Sequence, residues 1–239
     1  MEVFVDRYKA ILFDAGDTLL NVPEAHQVVT QFLRERSFPC DEAEVESVLH
    51  ESIQRFYYEK KRDEQAICSP EVDRAFWVKL YAHMLTRLNG ANCDEDGLRR
   101  LCHDLYEVFT GPEVYTLFED VTEVLEALRM RGLQLAVVSN FADTLPLILR
   151  EKGIADYFSE IIVSTTVGLE KPNPEIFRYA LRKLRVDPGD ALYIGDHEQN
   201  DVWAPKQAGM DAIRILRYGY MQGEGIRSLL ELLPGTSNR

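Results

Sequence analysis

Cysteine is scarce in this chain and never paired: Cys40, Cys68, Cys93 and Cys102 are the four among 239 residues, and no two of them form a C-x-x-C motif. That spacing argues against a zinc finger or ribbon, and a chain of this length buries enough core to need no disulfide framework. Reduced thiols in a cytoplasmic protein are therefore expected. An apolar run of membrane-spanning length is also missing, so no membrane partner is expected. The stretch MEVFVDRYKAILFD scatters charges where a secretory signal would carry an apolar segment, which predicts no signal peptide. Positive charge is in short supply too, with 27 Lys and Arg against 40 Asp and Glu and a formal charge of -13. Nucleic-acid backbone, which calls for clustered basic residues, is accordingly not an expected partner. What is present is ordinary globular usage, 46% apolar and 28% charged, sufficient for one or two domains.

Two periodicities divide the chain. Over residues 24 to 109 apolar residues recur at helical spacing: Ala25, Val28, Val29, Phe32 and Leu33, then Val45, Val48, Leu49, Ile53 and Phe56. A third helix is expected from SPEV, with Ser69 as N-cap and Pro70 at the first helical position, through Phe76, Leu80, Met84 and Leu88. A fourth carries Leu98, Leu101, Leu105 and Phe109. Short polar connections between them predict a small antiparallel four-helix bundle. From about residue 114 the pattern changes to short aliphatic runs, LQLAVVSN, EIIVST, ALYIGD and AIRILR, alternating with helical stretches. Continuous apolar strands separated by helices predict an α/β fold, a doubly wound, Rossmann-like parallel sheet covered on both faces. The first strand, around Ala10 to Phe13, is expected to join it. Residues 1–21 and 110–239 then form the core domain, and residues 22–109 an inserted helical domain.

In such sheets ligands bind outside the carboxyl ends of the strands. Reading the residue after each apolar run gives Asp14, Ser139 with Asn140, and Asp196, so three strands end in polar groups at one edge. Lys171, in GLEKPNPEIF, precedes a helix and reaches the same edge, and Asp201 follows Asp196 by five residues. Asp14, Asp196 and Asp201 would repel one another unless a hard cation neutralised them, and oxygen-only ligands suit Mg²⁺. A metal, a lysine and a serine hydroxyl together make a clamp for a phosphoryl group, which a carboxylate beside them could attack.

These residues resemble the haloacid dehalogenase-like hydrolases. The family's D-x-D-x-T, strand-end Ser or Thr, pre-helix Lys and GD-x(4)-D motifs are similar, in the same order, to DAGDT at Asp14 to Thr18, VVSN with Ser139, EKPNP with Lys171, and GDHEQND with Asp196 and Asp201. The resemblance covers nearly the whole chain. It implies a Mg²⁺-dependent phosphatase acting on a small phosphorylated metabolite, with Asp14 as nucleophile and Asp14, Asp196, Asp201 and the Gly16 carbonyl around the metal. Ser139 and Lys171 would hold the phosphoryl oxygens, with Asn140 as a further donor, and the helical insertion would be the family's cap.

One departure stands out. Where most family phosphatases carry a second Asp as general acid and base, this chain has Gly16, and Asp17 occupies the next position, usually glycine. Neighbouring residues of an extended chain point to opposite sides, so Asp17 replaces the acid only if a local twist at Gly16 rotates it in; otherwise its role is structural. His197 is a second candidate for proton transfer. The loss leaves three rival readings open: a catalytically weak Mg²⁺ and phosphate-binding regulatory module, a haloacid dehalogenase, and a phosphonatase using a cap lysine such as Lys60, Lys61 or Lys79. Substrate identity and oligomeric state leave no mark in the sequence.

Overall fold

A computed structural model of the protein describes residues 5–59, 67–88 and 94–234. Cys93, Lys60 and Lys61 lie outside the described residues. By its internal contacts the chain divides into two compact units, Met1–Asn21 with Arg62–Ser69 and Thr116–Arg239, and Val22–Lys61 with Pro70–Tyr115.

The first unit opens with β1 (Ala10–Phe13), all four residues buried, and leaves through β2 (Leu20–Asn21). The second unit holds α1 (Ala25–Glu35), α2 (Glu42–Ile53), α3 (Pro70–Arg87) and α4 (Glu95–Thr110). The Asp41 side chain accepts from the Glu44 N–H and Asp94 from the Gly97 N–H, so α2 and α4 each start on an aspartate cap. The apolar stripes converge in one cluster: Val29, Phe32 and Leu33 with Val45 and Leu49, Leu80 and Met84, and Cys102 and Leu105. The α2 periodicity reaches Phe56 because the helix runs on as a wider π-turn over Gln54–Tyr58.

The chain re-enters the first unit at β3 (Thr116–Leu117), antiparallel to β2. It continues through α5 (Val121–Met130), β4 (Gln134–Ser139), α6 (Leu145–Glu151), β5 (Glu160–Val163), α7 (Ser164–Val167), α8 (Glu175–Leu184), β6 (Ala191–Gly195), α9 (Ala204–Gln207) and β7 (Asp211–Arg214). Five strands form one parallel sheet in the order β5-β4-β1-β6-β7. This is the doubly wound, Rossmann-like α/β sheet expected. Strand β1 lies at its centre with Phe13 level with Val137 on one side and Ile194 on the other. The chain order departs in opposite directions from β1, which makes its carboxyl end the switch point where a crevice opens.

One sheet face packs Ala10, Leu12, Ala136, Val138 and Tyr193 against Ile176, Phe177, Ala180 and Leu181 of α8. The alternation of side chains sends Ile11 and Phe13 to the other face, where they too are fully buried. One expected boundary differs. Strand β7 stops at Arg214 rather than running through AIRILR, because Ile215 turns to bridge Ile226. The seven-residue α6 and the two-residue β2 and β3 are too short to leave a readable period.

Phe177 stands edge-on to Tyr193 with ring centroids 4.9 Å apart and an interplanar angle of 87°. Phe177→Ala is expected to remove about 3–5 kcal/mol of stability, read as a lower urea midpoint with unchanged slope; a loss under about 1 kcal/mol would contradict this packing.

Candidate active site

The carboxyl end of β1 delivers Asp14 into the crevice. Its N–H donates to the Ile194 carbonyl at 2.9 Å, extending the β1–β6 ladder by one step, and the residue is only 5% exposed. Lys171 Nζ, itself 3% exposed, donates to Asp14 Oδ1 at 2.8 Å, Asp201 Oδ1 at 2.7 Å and the Tyr193 hydroxyl at 3.0 Å. All three ammonium hydrogens are thereby used. Burial alone would lower the lysine's pKa, but Asp14 and Asp201 more than reverse that and move it up, so Lys171 stays charged.

Each partner is positioned by a strand end. Asn140, just past β4, grips the Lys171 backbone with both halves of its amide: Nδ2 donates to the Lys171 carbonyl and Oδ1 accepts its N–H, each at 2.8 Å. Ser139 ends β4, buried beside Asp14, where its hydroxyl favours the charged carboxylate. Tyr193, inside β6, donates to the Val138 carbonyl at 2.7 Å and so presents its oxygen to Lys171.

Asp201 sits on a π-turn, Glu198–Trp203, that follows β6. Its Oδ2 accepts the His197 N–H at 2.9 Å, and its own N–H returns to the His197 carbonyl at 2.8 Å. This folded-back loop depends on Gly195, where an added Cβ would lie 2.4 Å from the Asp201 Cγ. No larger residue fits without moving the carboxylate. His197 caps the turn, its Nδ1 accepting from the Gln199 and Asn200 N–H groups at 3.2 and 3.3 Å. Burial, with Lys171 adding to it, pushes the imidazole pKa down to about 4, so the ring is neutral near pH 7 with its proton on Nε2.

Charge at the site is unbalanced. Ligand oxygens of Asp14, Asp196 and Asp201 lie within 4.8 Å of one another and all three residues are buried, yet among the described residues one ammonium group meets them directly. Burial first, then the other aspartates, drives the Asp196 pKa well up, and burial outweighs Lys171 in raising that of Asp14. Three carboxylates against one lysine leave an excess of about two negative charges, and the donors are all oxygen, a set suited to a hard divalent cation.

The turn after Asp14 is gripped from the far end of the sheet. Arg217, three residues past β7, donates to the Thr18 carbonyl from Nε at 3.1 Å and Nη2 at 2.6 Å, while Nη1 pairs with Asp120 at 2.7 Å. Asp120 also accepts from the Ser228 hydroxyl and the Leu229 N–H; burial pushes its pKa up, but these bonds and Arg217 overcome that and hold it low. Next along, the Tyr218 hydroxyl donates to Asp17 Oδ1 at 2.6 Å. The left-handed turn falls at Asp17 itself, which takes φ 50°, and its N–H closes on the Leu20 carbonyl at 2.7 Å. Nothing lies within 4 Å of where a Cβ at Gly16 would be.

Comparison with known proteins agrees with this geometry. Residues 8–209 match the model of the haloacid dehalogenase-like hydrolases. The chain belongs to that family. It is 34% identical over 142 residues to haloacid dehalogenase-like hydrolase domain-containing protein 3 of Mus musculus, covering 59% of this chain and 56% of that one. It is 36% identical over 135 residues to a phosphoglycolate phosphatase of Vibrio vulnificus, covering 55% and 58%. The chain thus matches little more than half the length of these curated relatives. Among solved structures, a HAD phosphatase from Thermococcus onnurineus is 27% identical with a TM-score of 0.61, covering 94% of this chain and 95% of that one. Dehalogenases occur among the solved neighbours as well.

Of the residues named from the sequence, Lys171 joins Asp14 and Asp201 by direct hydrogen bonds, Ser139 lies beside Asp14, and Asp196 completes the acidic group. Asn140 spends Oδ1 and one Nδ2 hydrogen on the Lys171 backbone, which leaves the second hydrogen of its amide as the further donor expected there. Tyr193, Gly195, Arg217, Tyr218 and Asp120 were not anticipated. Tyr193 is hidden in an apolar run, and Arg217 and Tyr218 lie about 200 positions from their partners.

Because the raised Asp196 pKa marks a charge that burial and the neighbouring aspartates disfavour, Asp196→Asn is expected to stabilise the protein in EDTA at pH 7. A folded-state pKa above the unfolded one means the native state holds the proton longer, so the gain should shrink as pH falls from 7 through the raised folded value and be gone near the unfolded carboxylate's pKa of about 4. Thermal unfolding at both pH values checks it; a destabilised variant at pH 7 would show the charge to be compensated.

Proposed function

We propose that this chain is a Mg²⁺-dependent phosphatase acting on a small phosphate monoester through an aspartyl-phosphate at Asp14. The observation that carries the reading is the buried Asp14 carboxylate at the central strand end, 2.8 Å from the Lys171 ammonium and inside an acidic group that lacks two positive charges. Mg²⁺ would be held by Asp14, Asp196 and the Gly16 carbonyl with Asp201 closing the set, and when bound it supplies the charge that lets a phosphate dianion approach. Lys171 and the Ser139 hydroxyl receive the phosphoryl oxygens. The Asp14 carboxylate attacks phosphorus, the ester P–O bond breaks, and its electron pair leaves on the alcohol oxygen. Water then attacks the acyl phosphate, releasing orthophosphate and restoring Asp14.

Asn140 is a positioning residue in this scheme, since it fixes Lys171. Asp17 is assigned a structural role, because Tyr218 holds its carboxylate while the open position lies at Gly16. The helical insertion, residues 22–109 by its periodicity, is assigned the role of the family's cap, and no disulfide joins Cys40, Cys68 and Cys102 among the described residues. Among the described residues no helix is long and apolar enough to cross a membrane. Dehalogenase chemistry needs no metal and leaves the acidic excess without purpose. A phosphonatase would need a desolvated cap lysine, and Lys79 of α3 is exposed. A weak Mg²⁺ and phosphate-binding module is the second reading, favoured by Gly16.

Hydrolysis of acetyl phosphate and p-nitrophenyl phosphate by the purified chain is expected to require Mg²⁺, stop in EDTA and vanish in Asp14→Asn. Gly16→Asp should raise turnover of alkyl phosphates by about tenfold or more, since acid–base assistance is worth about 10²- to 10⁴-fold. No turnover in the wild type with Mg²⁺ still bound would transfer the assignment to the binding module, and chloride release from 2-chloropropionate without metal would transfer it to the dehalogenases.

Asp17→Asn separates the two roles of that residue. A structural Asp17 predicts a loss of less than about tenfold in kcat; a loss of about 10²-fold or more, the scale of a missing general acid, would make it the displaced catalyst.

A further inference from the structure

Arg214 closes β7 and Arg217 stands three residues on, and the two arginines send their side chains to the two loops that carry the acidic group. The sheet register sets Arg214 level with Gly195, the residue before Asp196. The Ile215 N–H donates to the Gly195 carbonyl at 2.9 Å, which carries the β6–β7 ladder one step further. From there Arg214 Nε donates to the Asp196 carbonyl at 2.7 Å. Its Nη1 donates to the Gln222 carbonyl at 3.1 Å and lies 3.5 Å from the exposed Glu198 carboxylate. Arg217 reaches past β6 to the Thr18 carbonyl, with its guanidinium over the Phe118 ring at 4.1 Å. One edge strand thus ties the turn after β1 to the turn after β6.

The bond from Arg214 falls on a peptide with a second task. The carbonyl it holds and the His197 N–H belong to one planar unit, and that N–H donates to Asp201 Oδ2 at 2.9 Å. With a guanidinium at one end and a carboxylate at the other, the peptide cannot rotate without breaking two charge-assisted bonds. It is bonded to the Asp196 Cα and hydrogen-bonded to the Asp201 side chain, so its orientation sets how two of the three acids stand relative to each other. Asp14, Asp196 and Asp201 bring ligand oxygens within 4.8 Å of one another, an approach that like charges resist. Mg²⁺ demands near-ideal octahedral geometry, whereas Ca²⁺ accepts irregular shells. Rigid placement of these acids therefore matters more to the first ion than to the second.

We propose that Arg214 is a positioning residue for the metal: through the Asp196–His197 peptide it fixes Asp196 and Asp201 against Asp14, and with Arg217 on the other loop it tunes the site to Mg²⁺ over Ca²⁺. This rests on the Mg²⁺-dependent reading above and adds to it the group that sets ion selectivity. The role is geometric and not electrostatic, and the two have opposite signs. A positive charge beside a cation site opposes the incoming cation, so on charge alone the loss of Arg214 tightens Mg²⁺. On geometry the loss weakens it, since removing a partner that orients a metal ligand typically costs about 10- to 100-fold in affinity.

Two neutral variants separate these effects. Gln carries Nε2 at the same number of bonds from Cα as the arginine Nε, so Arg214→Gln keeps the donor without the charge, and Arg214→Met has the same reach with no donor. Wild type and both variants are titrated calorimetrically with magnesium chloride and with calcium chloride. Arg214→Met is expected to lose about tenfold or more in Mg²⁺ affinity and less than about threefold in Ca²⁺ affinity, while Arg214→Gln stays within about threefold of the wild type for both. Met and Gln variants that behave alike, a Met variant that binds Mg²⁺ as tightly as the wild type or more tightly, or equal losses for the two ions would overturn the positioning role. Thermal unfolding in EDTA shows whether each variant is folded. If Arg214→Met is not, Arg214→Gln decides alone: keeping the wild-type preference for Mg²⁺ over Ca²⁺ supports the role, and losing it overturns it. Acetyl phosphate hydrolysis by the wild type is read separately. Mg²⁺ binding without turnover removes the phosphatase reading while the titrations still decide the positioning role, and a wild type that binds no Mg²⁺ overturns both.

Discussion

One buried ammonium group organises the site. Lys171 Nζ reaches carboxylates after β1 and β6 and a phenol inside β6, and each contact occupies one of its three hydrogens. A lysine at 3% exposure is tolerated only because those acceptors replace water. The consequence runs in both directions. Without Lys171 the two aspartates would face each other unpaired, and without them the lysine would shed its proton. The strand ends converge because this small network makes any other arrangement costly, and Asn140 prevents the lysine's backbone from drifting away from it.

The network is incomplete by design of its charges. Hydrogen bonds satisfy Asp201 on both oxygens, from Lys171 and from the His197 N–H, whereas Asp196 keeps a strongly raised pKa. With Lys171 hydrogen-bonded to Asp14 and Asp201, Asp196 is the group with most to gain from a cation. Gly195 makes that geometry possible, since the Asp201 side chain occupies the volume where any Cβ would stand. The glycine before the first acid of GDHEQND thus has a steric reason, separate from any conformational freedom.

The sheet and the strand-end residues were legible because both follow from short-range rules. Apolar runs of four to six residues announce buried parallel strands, and the polar residue after each marks the crevice edge. Tyr193 was illegible because it sits in the middle of such a run, where its phenol looks like one more apolar ring; only the packing shows that it also carries a hydrogen bond from Lys171. Arg217 and Tyr218 were illegible for another reason. Their partners Thr18 and Asp17 are 199 and 201 positions away, and no local pattern encodes a contact of that separation. Asn140 was readable by position, while its grip on the Lys171 backbone depends on the direction of its amide, which no local pattern encodes.

The exchange of an acid for glycine at position 16 is easier to understand from these long-range contacts. In DAGDT the carboxylate stands one place beyond Gly16, and the backbone at Asp17 lies in the left-handed region, where Asp is among the more tolerant residues. That turn points the side chain at Tyr218 rather than at the space above Gly16. Tyr218 and Arg217 are adjacent in sequence, so one short segment after β7 holds both the Asp17 carboxylate and the Thr18 carbonyl. A turn fixed at two successive residues has little freedom to swing Asp17 back as an acid, because doing so would strip the Tyr218 hydroxyl of its acceptor in a half-buried setting. The aspartate at 17 is better explained as the anchor that keeps the glycine position open than as a misplaced catalyst.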